Sequence, residues 1–78
     1  MTAKEMLKVS IDANKSEDAE IWLDEVLDMI HSSAKAGNDS MHLNLNGHVY
    51  QVRKYLQQRL RQLGYGLNSN DRYIFITW

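Results

Sequence analysis

The chain has no cysteine, and with it go disulfide staples, thiolate metal sites and a cysteine nucleophile. That suits a reducing compartment. It also lacks any long apolar run. Purely apolar stretches reach three residues, as at Ile74 to Ile76, far below the roughly 20 that a membrane helix needs. The opening "MTAKEMLKVS" carries lysines but no apolar stretch of signal-peptide length, so a cytosolic, unprocessed protein is expected. There are no repeats, linkers or low-complexity segments, and 78 residues make a single domain, 1–78. A chain this short buries a modest fraction of its surface, which implies marginal stability unless something staples it.

Chemical signatures are equally scarce. GxGxxG, Walker A, GxSxG and HExxH patterns are absent, and the glycines at 37, 47, 64 and 66 read as structural. His31, His42 and His48 offer no recognised ligand spacing on one element, so no metal and no cofactor are expected. Paired carboxylates for acid–base work would need a cleft to perturb them, and the acids here sit on the solvent face of an amphipathic stretch. The expectation is a protein that is not an enzyme.

What the sequence does have is a divided charge. Net charge is −1, but Glu17 to Asp28 holds six acids and no base, whereas Arg53 to Arg72 holds five bases and the single acid Asp71. One element is acidic and another basic.

Periodicity places the elements. Thr2-Ala3-Lys4-Glu5 has the capping-box pattern, and Ala3, Met6 and Leu7 continue at helical spacing, which predicts a helix over 3–13. Ser16 offers a second cap, with Glu17 and Asp18 where a helix start favours negative charge. Trp22, Leu23, Val26, Leu27, Ile30 and Ala34 then form one apolar stripe that stops at Gly37, a natural left-handed residue. Met41, Leu43 and Leu45 alternate with polar residues as in a half-buried strand, 41–45.

The stretch "MHLNLNGHVYQV" then allows two continuations, because Asn46-Gly47 is a strong hairpin signal. A second strand would put Val49 and Val52 on opposite faces. At 3.6 residues per turn, however, Val49, Val52, Leu56, Leu60 and Leu63 form a continuous stripe ending at Gly64. The pattern therefore predicts a helix over 47–63, with Asn46 as its N-cap and Gly47 in its first turn. Tyr65 to Leu67 and Tyr73 to Trp78 read as a terminal hairpin around Asn68-Ser69-Asn70-Asp71. The order is α-α-β-α-β-β, an α+β fold. The last strand is apolar at both parities, which puts it in the middle of a three-stranded sheet of order 2-3-1, with helices packed on one face. Tyr73 and Phe75 then emerge on the other face beside His42 and Asn44. Either that face is an interface, or the N-terminal helix folds under it with Met6 and Leu7 as plugs.

This organisation resembles a class of small proteins encoded by tailed bacteriophages. The likeness rests on a helix ending "IHSSAKAG", a short strand, a helix ending "LRQLGYGL" and a terminal strand "YIFITW", over residues 20–78, with "TAKE" near the start. It implies an origin, and the host cytoplasm as location, and it brings no catalytic residues.

Two functions from different classes follow. The first is a small interaction domain, self-associating as a dimer through Tyr73, Phe75, His42 and Asn44. It would act on a host or viral protein as an inhibitor or accessory factor. The second is a nucleic-acid-binding module. Arg53, Lys54, Arg59 and Arg61, with Gln57, Gln58 and Gln62, are residue types that contact phosphates and base edges, and Tyr and Phe on a sheet can stack bases. The negative net charge and the acidic N-terminal half weigh against the second.

Overall fold

Each helix of the computed structural model, which describes residues 2–70 and 72–78, starts or stops where its terminal chemistry directs. Helix α1 (Ala3–Asn14) opens on the expected capping box: the Thr2 hydroxyl accepts from the Glu5 amide at 3.2 Å while the Glu5 carboxylate accepts from the Thr2 amide. Helix α2 (Glu17–Lys35) is capped by Ser16, whose hydroxyl accepts from the Ala19 amide at 3.1 Å. It ends on Gly37 at φ +92°, where the Asn38 and Gly37 amides donate to the carbonyls of Ser33 and Ala34. Helix α3 (Tyr50–Gln62) ends the same way: Gly64 lies at φ +98°, and Tyr65 and Gly64 donate to Leu60 and Arg61. Both are Schellman closures, which use the conformation that glycine alone adopts without strain to satisfy terminal carbonyls.

Strands β1 (Ser40–Asn44), β2 (Gly66–Ser69) and β3 (Tyr73–Thr77) form an antiparallel sheet in the order β1-β3-β2, with the last strand central as its two-sided apolarity implies. Met41, Leu43, Ile74, Ile76 and Leu67 share one face, and α2 and α3 lie over it. Ile74, Ile76, Leu56 and Leu60 are fully buried between the layers, with Trp22, Leu23, Val26 and Ile30 of α2 completing the core. Each large aliphatic side chain removed from water this way stabilises the fold by about 1.5–3 kcal/mol. Ala34, at the end of the expected stripe, is exposed, and Trp78, past the end of β3, is also exposed. Among the described residues no helix is long and apolar enough to cross a membrane.

Three expectations need correction. The helix expected over 47–63 begins at Tyr50, and Asn46 is not its cap. The Asn46 amide donates instead to the Asn44 side chain at 2.8 Å. Gly47 takes φ +87°, which no helix accommodates, and Val49 becomes the N-cap with no side-chain hydrogen bond. Residues 45–49 are a connector, neither hairpin nor helix. As a result Val49 is 67% exposed and Leu63 50% exposed, while Tyr55, outside the expected stripe, is buried. Second, β2 spans 66–69 rather than 65–67, so the turn is shorter than expected; Asp71, part of that expected turn, lies outside the described residues.

Third, α1 does not fold under the sheet. Among the described elements it packs on α3, inserting Ile11 into the core and leaving Met6, Leu7 and Val9 exposed. Gln58 joins the two helices: it donates to the Ser10 hydroxyl at 2.9 Å and accepts from Asn14 at 3.2 Å, while Gln51 donates to the Ala13 carbonyl. This second layer buries the flank of α3 that carries Tyr55.

Candidate functional site

With α1 elsewhere, no helix among the described residues covers the second face of the sheet. The register sets its side chains in rows: His42, Phe75 and Asn68 across the middle, Asn44 beside Tyr73 at one end, and Ser40, Thr77 and Gly66 at the other. The His42 ring rests against Phe75, with centroids 4.7 Å apart and planes tilted by 39°. Tyr73 is 45% exposed and Phe75 half-buried. Asn44 faces this side, but its side-chain oxygen already accepts from the Asn46 amide. A Cβ added at Gly66 would meet the Thr77 hydroxyl, which would have to turn away.

Two hollows flank the β2–β3 turn. One, of about 300 Å³, lies on the uncovered face between His42, Asn68, Ser69, Asn70, Tyr73 and Phe75. The other, of about 350 Å³, lies on the helix side between Leu45, Tyr50, Arg53, Lys54, Gln57 and Asn70. Asn70 lines both. Its side-chain oxygen accepts from the amides of Arg72 and Tyr73, each at 2.9 Å, and so shapes the turn.

The basic residues proposed for nucleic acid do not act as one set. Arg53 and Lys54 line the helix-side hollow together with Gln57. Arg59 is partly buried and bonds Gln62, and Arg61 is exposed two turns beyond Lys54. Gln58, a candidate base reader in the sequence, is occupied by α1. Among the histidines, His31 is exposed on α2. His48, expected in the first turn of a helix, belongs to the connector and stacks on Trp22 of α2, with centroids 3.6 Å apart and planes 9° from parallel. Nothing in the local sequence pairs those two rings. Among the described residues no three His, Asp or Glu side chains are grouped as metal ligands would be.

No protein-family model, curated protein or solved structure matches the chain.

Proposed function

We propose that this chain is a non-enzymatic contact domain that pairs with a second copy through its uncovered sheet face. In that form it acts as an inhibitor or accessory factor on a host or viral protein. One observation carries the reading: Tyr73, Phe75 and His42 sit together on a sheet face that no helix among the described residues covers. Large aromatics are enriched in protein contacts, and a contiguous exposed patch of them is costly in water. A two-fold pairing sets each patch against its own copy and needs no further element from the chain. The likeness to small tailed-phage proteins supports the host cytoplasm as the place of action.

Sedimentation velocity over a micromolar concentration series tests this. The wild type is expected to show a concentration-dependent dimer, and Phe75→Ser to shift it toward monomer while circular dichroism stays that of the folded chain. A wild type that sediments as a monomer throughout, with Phe75→Ser altering only stability, overturns it.

A further inference from the structure

Strand β2 is a sheet edge with nothing on it to discourage a neighbour. It pairs with β3 along one side only, residue for residue from Gly66↔Thr77 to Ser69↔Ile74, with no bulge. The Asn70 amide donates to the Tyr73 carbonyl. Hydrogen-bonded and open pairs alternate along an antiparallel ladder, so Gly66 and Asn68 spend their backbone groups on β3. Leu67 and Ser69 point theirs off the sheet. Edge strands are ordinarily blunted by charge, proline, a bulge or a covering element. Gly66-Leu67-Asn68-Ser69 has neither charge nor proline, and among the described elements only β3 and α3 meet β2. A row of free backbone donors and acceptors is matched by one kind of partner, another extended backbone.

The helix beside the edge selects the charge of that partner. Lys54 and Gln57 stand across the helix-side hollow from Asn70, at the end of β2. Arg61, about two turns on, continues the exposed side of α3. Arg53 is already engaged within the fold, and Arg59 bonds Gln62, which leaves Lys54 and Arg61 as the exposed charges of α3. No acid occurs from Tyr50 to Asn70. Pairing of β2 with a second copy's β2 would bring two basic helices together, like charge against like, which is costly. An acidic strand meets the opposite sign. The other edge, β1, lies beside the acidic α2 and offers no such match.

We propose that β2 takes up an extended acidic segment of another protein as a fourth strand, bonded to the backbone of Leu67 and Ser69, with its carboxylates toward Lys54 and Arg61. This rests on reading the chain as a contact domain that engages another protein, and it names the chemistry of that partner. Pairing of copies through the uncovered face uses side chains of β1 and β3 instead, so the two fail separately.

The test titrates the ¹⁵N-labelled full chain at low salt with a short peptide that alternates valine and glutamate. The Leu67 and Ser69 amides are expected to exchange quickly in the free chain and to become protected by the peptide. Ser40, His42 and Asn44, on the other edge, should not change. Two control peptides separate backbone from charge: one N-methylated throughout, which has no strand donors, and one with lysine in place of glutamate. Each should bind at least about ten-fold more weakly. Ser69→Pro removes an outward amide and no bond to β3, and should weaken binding about ten-fold. Lys54→Gln and Arg61→Gln, both at exposed positions, should each weaken it about two- to five-fold. Phe75→Ser, which bears on the uncovered face, should leave it within about two-fold. No protection with the acidic peptide, equal binding of either control, or unchanged binding in Ser69→Pro overturns the proposal. Protection of Leu67 and Ser69 that rises with protein concentration alone assigns the edge to a second copy and overturns it as well.

Discussion

His48 lies flat on Trp22, with ring centroids 3.6 Å apart and planes 9° from parallel. This contact ties the connector between β1 and α3 to the N-terminal third of α2. A stacked aromatic pair of this kind contributes about 0.5–1.5 kcal/mol beyond the area it buries. In a Trp78→Phe background, where Trp22 is the sole indole, His48→Ala is expected to lower stability to urea by an amount in that range and to red-shift the native emission. His48→Phe should restore most of both. Unchanged stability and emission in His48→Ala would mean that the stack does not hold the connector.

The shift of α3's buried face makes a second prediction. Leu56 is fully buried, whereas Val49 and Leu63, on the same ideal stripe, are exposed. Leu56→Ala is expected to cost about 2–5 kcal/mol, a large part of the stability of so small a domain. Val49→Ala and Leu63→Ala should each stay within about 0.5 kcal/mol. Denaturant titrations of the three variants separate the observed helix from the ideal one, since the full stripe would make all three costly.

Helix caps separate observed from expected boundaries as well. Ser16→Ala removes the hydroxyl that accepts from Ala19 and should cost about 0.5–2 kcal/mol. Asn46→Ala removes a side chain that caps no helix and should stay within about 0.5 kcal/mol. Thermal melts showing the larger loss at Asn46 would place the start of α3 where the sequence pattern alone puts it.

Gln58 is the hinge pin between α1 and α3, through its bonds to Ser10 and Asn14. Gln58→Ala is expected to speed amide hydrogen exchange across residues 3–14, because those local openings then work against Ile11 with less support. Protection in β3, at the centre of the sheet, should fall far less. Uniform loss of protection in both regions would show instead that α1 opens only with the whole fold.

Helix ends and strand faces set by neighbours within one turn or one strand were largely legible in the residues. Thr2 and Glu5 announce the first helix, Ser16 the second, and Gly37 and Gly64 close two helices with the same left-handed geometry. The alternation of Met41 and Leu43, set against the two-sided apolarity of Tyr73 to Ile76, was enough to place β3 at the centre of the sheet and Tyr73, Phe75 and His42 on one face of it. These rest on short-range hydrogen bonds and on the period of side chains along a strand or helix, which the order of residues carries directly. Tertiary structure decided the rest. Asn46-Gly47 satisfies a helix start and a turn equally well, and the turn is the one realised, with His48 on Trp22. Met6 and Leu7 suit a plug for the sheet as well as a solvent face, and α1 went to α3 because Ile11, Ser10 and Asn14 find partners there. Arg53 and Lys54 became a hollow with Asn70, while Arg59 and Arg61 did not. Each of these outcomes depends on groups far apart along the chain that meet only after folding, and local pattern carries no record of which distant surface a side chain will face.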